Sequence, residues 1–168
     1  MARLQKELRG DDIDSIEKYY GDDGVTPKSE DKCTDLLIGD LQHLLEPLGI
    51  GRVPQRDMPA GKRADIVFTA GDIALPVEAK GQWNPALWRA PVEQLGALYA
   101  RDWRSQGRGL YLVYWFGLEV PVKKKPRRKS QGAALCASAE ELRRALIETM
   151  TAEWRANFAI DVIDLRRS

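Results

Sequence analysis

The chain has 168 residues, 43% of them hydrophobic and 30% charged, with a formal net charge of +1, a balance that suits one soluble globular domain with a real core. No apolar run approaches 18 residues and no charged-then-apolar leader opens the chain, so neither a membrane span nor a signal peptide is expected. Cys33, Cys136 and the single histidine, His43, lack metal-ligand spacing. This excludes a zinc site and points to reduced thiols in a cytoplasmic protein.

In chain order, residues 1–28 are charge-rich, contain "GDDG" and Pro27, and read as an N-terminal extension or linker with little core of its own. The domain proper is expected over 29–168. "SEDKCTDLLIGDLQHLLEPLG" opens on Ser29 as N-cap, repeats Cys33, Leu36, Leu37, Leu41, Leu44, Leu45 and Leu48 at helical spacing, and stops at Pro47 and Gly49. "GRVPQRDM" reads as an edge strand, because Pro54 cannot donate to a ladder on both sides. "ADIVFTAGDIALPVEAKGQW" reads as a hairpin turning near Ala70-Gly71. The stretch from Asn84 to Gly107 then predicts a helix with Pro91 early in it, and "GLYLVYWFG" a fully apolar, central strand. "SAEELRRALIETMTAEWRAN" predicts one long helix, capped by Ser138 with Glu141 three residues on, and "FAIDVIDL" a closing strand. Helix, three strands, helix, strand, helix, strand is the order of an α/β sandwich with a mixed central sheet.

The chemistry concentrates in "LPVEAKGQW". Alternate residues of a strand share a face, so Glu78 and Lys80 lie on one side and Val77 and Ala79 on the other. With the turn near Ala70-Gly71, Asp65 falls opposite Pro76 and diagonal to Glu78, at roughly 7–8 Å. Two carboxylates at that reach can hold a hard cation such as Mg²⁺, with Mn²⁺ as a substitute. The ion would lower the pKa of a bound water, and a neighbouring lysine, whose own pKa can fall on burial, can orient or deprotonate that water. The set suits phosphodiester hydrolysis. The competing reading is a solvated ion-pair patch worth only about 0–1 kcal/mol.

"KKKPRRK" puts Lys123, Lys124, Lys125, Arg127, Arg128 and Lys129 into one run broken by Pro126. It is either a solvated loop or a local positive field for nucleic-acid phosphates. Of the five tryptophans, Trp115, Trp88 and Trp103 read as core, and Trp83 alone is a candidate for substrate contact.

"D65 … E78-A79-K80", on the second and third strands of a helix, three strands, helix, strand core, resembles the PD-(D/E)XK nuclease superfamily, with Ala64 where the motif has proline. The resemblance runs from about Glu30 to Phe116. "EQLGALYARD" is similar to the glutamine-plus-tyrosine helix of the RecB-like branch, with Tyr99 five residues after Gln94 rather than four. It implies a restriction-endonuclease-like core carrying an extra C-terminal helix and strand, and a Mg²⁺-dependent endonuclease acting on DNA. Asp65, Glu78 and Lys80 would be catalytic, with Gln94 orienting Lys80 or a metal-bound water. An acidic residue of the first helix, Glu30 or else Asp35, would complete the metal site, and Arg63 would touch phosphate or form a surface ion pair. Such domains are appended to bacterial defence or mobile-element proteins, so a homodimer or a fused sensor or ATPase domain is the implied partner. The alternative is a module on the same fold that binds nucleic acid or protein without cleaving.

Overall fold

The computed structural model describes residues 14–58, 62–99 and 103–167, together with Leu4 and Leu8. Five strands, β1 (Gly51–Met58), β2 (Lys62–Ala70), β3 (Ile73–Gly81), β4 (Gly109–Trp115) and β5 (Phe158–Asp164), form one open sheet in chain order. The β1-β2-β3 meander is antiparallel and β3-β4-β5 is parallel, so the sheet is mixed. Pro54 sits on β1, at the edge, as its missing N–H requires. β4, flanked by two parallel neighbours, is the near-continuous apolar strand that burial on both faces demands, but the central place expected for it falls to β3, because β5 alone is added beyond it.

Helix α1 (Glu30–Leu45) covers one face of the sheet, burying Cys33, Leu37 and Leu41 with Val77, Ala79, Leu112 and Tyr114. Ser29 caps it, its side chain accepting from the Lys32 N–H. The other face is covered by α2 (Pro91–Tyr99) and α3 (Ala139–Glu148), whose Leu95, Leu142 and Leu146 pack with Tyr111, Val113 and Trp115. Among the described residues no helix is long and apolar enough to cross a membrane.

Several expectations are corrected. The N-terminal segment, expected to have little core of its own, shares the main one: among its described residues Leu4, Leu8, Tyr19 and Tyr20 are buried in the same cluster as α1 and the sheet. Tyr19 donates to Asp40 Oδ2 at 2.6 Å and Tyr20 to the Leu165 carbonyl at 2.9 Å, tying this segment to α1 and to the end of β5. The helix expected from Asn84 onward begins as turns, and its regular part, α2, is wound in the π manner, with i→i+5 bonds. Pro91 opens that part, where a helix leaves the N–H unused in any case. The single long C-terminal helix is two: α3 ends at Glu148 and α4 (Ala152–Asn157) restarts at Thr151, whose side chain accepts from the Trp154 N–H and recaps the chain. Ser138 does cap α3, but the Glu141 carboxylate reaches back to the N–H of Ala137 rather than of Ser138. Trp103, expected in the core, is 76% exposed.

Candidate active site

The hairpin turn is Gly71-Asp72, since Ala70 pairs with Ile73. Gly71 has a φ of +55°, which a residue without a Cβ adopts freely. The register therefore slips by two from the expected one, with Val67 rather than Asp65 opposite Pro76. A two-residue slip preserves the face of every side chain. Continued, this register would set Asp65 directly opposite Glu78 instead of diagonal to it. The paired stretch stops at Ile66 and Val77, however, and the strand ends separate. Asp65 fills the gap by accepting the Ala79 N–H on Oδ2 at 2.8 Å.

Glu78 and Lys80 occupy the face opposite Val77 and Ala79, as strand alternation requires, and are only 4% and 9% exposed. The Lys80 ammonium lies against Glu78 Oε1 and 3.8 Å from Asp65 Oδ2, so one cation bridges two carboxylates. It also donates to the Ala79 carbonyl at 3.3 Å. This is a buried cluster, not a solvated patch. Burial raises the Asp65 carboxyl above its ordinary value, outweighing the opposing pull of Lys80 and the Ala79 N–H. For Lys80 burial is the largest single influence and acts downward. Glu78, Asp65 and Glu30 together overcome it and hold the ammonium above its ordinary value, which corrects the expectation of a lysine poised by burial to deprotonate water. Tyr111, aligned with Glu78 on β4, is pushed well up by burial and then by Glu78, Glu30 and Asp65.

Glu30, in the first turn of α1, is brought to the site but is tied down. Its Oε1 accepts from the Gly81 N–H at 3.0 Å, and Asn84 Nδ2 reaches Oε1 at 2.7 Å and Oε2 at 2.9 Å. Asp35, the other acidic candidate, is corrected: it points outward and forms an exposed pair with Lys32. Asp31 contributes instead, its charge adding to the upward push on Asp65. Gln94 lies on α2, and its buried Oε1 has no hydrogen-bond partner among the described residues. Arg63 lies on the β2 backbone, but its side chain, like that of Tyr99, falls outside the described residues. Among the described residues no group of three His, Cys, Asp or Glu side chains is assembled to hold a metal ion.

Gln82 and Asn84 join the site without having been expected from the sequence. The signal is there, since the polar residues of "EAKGQWN" continue at every second position past Lys80. Fully buried Gln82 donates to the Gly117 and Lys124 carbonyls, both at 2.9 Å, and accepts from the Phe116 N–H at 2.8 Å. It thus joins the exits of β3 and β4 to the basic run. Arg127 completes that junction, its N–H donating to the Gln82 carbonyl and its Nε to the Trp83 carbonyl, each at 2.8 Å.

Trp83 is corrected as a substrate-stacking candidate. Lys124 Nζ sits 3.6 Å from its ring centroid, and Phe116 packs against it at 5.8 Å. The ring also rests on Gly81, where an added Cβ would fall 2.5 Å from Trp83 Cζ2. Gly81→Ala is therefore expected to displace the indole and loosen the Asn84 grip on Glu30, lowering stability by about 1–3 kcal/mol in thermal melts. An unchanged melt would show that the loop absorbs the methyl group.

The basic residues divide. Lys124, Lys125, Arg127 and Arg128 each donate to a backbone carbonyl, while Lys123 and Lys129 are exposed. If the run binds phosphates, alanine at Lys123, Arg128 and Lys129 should flatten the slope of log K against log salt by about 0.9 for each phosphate no longer neutralised. An unchanged slope returns the run to a solvated loop. Comparison of the chain with protein-family models, with curated proteins and with solved structures finds no match.

Proposed function

We propose that this protein is a divalent-metal-dependent endonuclease hydrolysing DNA phosphodiester bonds on a restriction-endonuclease-like core. The observation that carries the reading is the convergence of Asp65, Glu78 and Lys80 where the β2-β3 hairpin opens. A helix followed by an antiparallel three-strand meander, a second helix and a parallel fourth strand supports the same reading. The donor set fits a hard cation: Asp65 and Glu78 supply carboxylate oxygens around a point already taken by one positive charge. These two would hold the ion, which when bound supplies Lewis acidity and an acidified water. Glu30, engaged with Gly81 and Asn84, is assigned to ordering the loop.

Lys80 has two tasks. Without the ion it neutralises the two carboxylates, which would otherwise repel each other in a buried setting. In catalysis its ammonium positions the attacking water and the scissile phosphate. Gln94 would accept a hydrogen bond from Lys80 or from that water, meeting a buried acceptor whose isolation costs about 1–3 kcal/mol. The basic run, joined to the site through Gln82, would track the DNA backbone.

Plasmid nicking tests this directly. Mg²⁺ or Mn²⁺ should support cleavage, and Ca²⁺ should support binding without turnover. Full activity in excess EDTA would overturn the mechanism. A second reading, a module that binds nucleic acid or protein without cleaving, is favoured by one observation: among the described residues no three-ligand group is assembled. Binding with no metal-dependent nicking would select it.

A further inference from the structure

A concave site lies at the other end of the parallel strands, where β4 and β5 begin. Its cavity is about 610 Å³, and its lining includes Leu110, Met150, Phe158 and three arginines, Arg108, Arg143 and Arg155. The arginines come from three separate elements: the turn before β4, α3 and α4. Among the described residues no carboxylate lines the cavity.

Two of these side chains are held in place by the backbone. Arg143 Nε donates to the Ile160 carbonyl at 3.1 Å, with Asp161 Oδ1 at 3.8 Å from the same nitrogen. Arg155 Nε donates to the Met150 carbonyl at 3.1 Å. Both bonds run through Nε. The terminal nitrogens, which make the parallel two-bond contact with a phosphate, carry no hydrogen bond among the described residues. Arg108 is exposed and makes no side-chain hydrogen bond or ion pair among them. Asp161 offsets part of one charge, leaving a positive rim over a partly apolar floor. Trp154 stacks on Phe158 beside this floor, with ring centroids 4.9 Å apart.

The geometry points to a binding site for a nucleoside phosphate, with the phosphate on the three guanidinium groups and the base on Leu110, Met150 and Phe158. The cavity is much larger than inorganic phosphate needs and falls in the size range of small-molecule sites. Planar guanidinium groups suit phosphate better than ammonium groups do. The site shares no residue with the Asp65, Glu78 and Lys80 cluster and does not depend on the nuclease reading.

The test is calorimetric titration of the intact chain with ADP, adenosine and inorganic phosphate, with Trp154 fluorescence as a second readout. ADP should bind, and adenosine and inorganic phosphate should each bind at least about tenfold more weakly, because each lacks one half of the recognised molecule. Arg108→Gln is the clean variant, since its exposed side chain makes no hydrogen bond or ion pair among the described residues. It should weaken ADP binding by roughly tenfold, the value of about one charge-assisted hydrogen bond. Arg143→Gln with Arg155→Gln should abolish binding, and Lys80→Met should leave it unchanged. Several outcomes would overturn the proposal: no heat with ADP at millimolar concentration, adenosine or inorganic phosphate binding as tightly as ADP, or Arg108→Gln binding like wild type. Loss of ADP binding in a Lys80→Met sample shown by its thermal melt to be folded at the titration temperature would do the same by placing ADP at the other site. A single-stranded oligonucleotide that binds far more tightly than ADP with the same arginine dependence would make the groove a nucleic-acid track and overturn the small-ligand assignment.

Discussion

Lys80→Met is expected to lower single-turnover cleavage by about 10²–10³-fold, the usual cost of removing one preorganised donor aimed at developing charge. The same change should also lower stability. Lys80 is the cation between two carboxylates, with side-chain exposures of 11% for Lys80 and 5% for Glu78. Removing one partner of a buried ion pair leaves uncompensated charge and typically costs about 3–5 kcal/mol. Two conditions should restore part of that stability. Acid protonates the stranded carboxylates. A divalent cation takes the place of the ammonium, and ligand binding at a hundredfold above Kd adds about 2.7 kcal/mol. The expected pattern is a destabilised, metal-stabilised and nearly inactive variant that still binds DNA. Thermal melts with and without Mg²⁺, beside single-turnover cleavage, read all three properties. Wild-type cleavage by this variant would remove Lys80 from the site.

Asp65→Asn should separate function from stability in the opposite sense. Cleavage should collapse, because one of the two charged oxygen donors for the ion is gone, and Glu78→Gln should behave alike. Folding should not suffer. Burial raises the folded-state pKa of Asp65 above its ordinary 3.8. A carboxyl raised in the folded state contributes stability that is fully present below pH 3.8 and is lost as pH rises through the folded value. Asparagine has no such slope, and its side-chain oxygen can still accept the Ala79 N–H. The stability difference should therefore move in favour of Asp65→Asn as pH rises above about 4, and the variant should melt no lower than wild type at pH 7. Proteins commonly keep a less stable, charged site for the sake of activity. Denaturant melts between pH 3 and 8 decide the matter. A variant that is inactive and also much less stable at pH 7 would make Asp65 a structural residue.

Local rules carry the reading of the strands and caps. The period of two places Glu78 and Lys80 on one face, and the structure keeps them there because a two-residue register slip cannot turn a side chain over. Ser29 and Ser138 cap the helices that follow them, since each cap is a bond to a residue only three positions away. The edge position of β1 follows from Pro54, and the interior position of β4 from its apolar run. Where two local signals compete, the reading fails. "ETMTAEW" has helical composition, but Thr151 can cap a new helix as readily as continue an old one, and the structure uses it as a cap.

From the residue order alone it follows that Glu78 and Lys80 share one face of the third strand, because strand alternation is a property of the backbone. Tertiary structure decided what surrounds them. Glu30 meets Asn84 across 54 residues, and Gln82 meets Gly117 across 35, through hydrogen bonds that form only once α1 and the exit of β4 have docked on the sheet. The burial of Tyr19 and Tyr20 has the same origin: a charge-rich segment of modest hydrophobicity looks unpacked until the surface that accepts its few large side chains has been built. The protonation behaviour of Asp65 and Lys80 belongs to this second class as well. It is set by desolvation and by charges from three different elements, and none of these is encoded in the spacing of one strand.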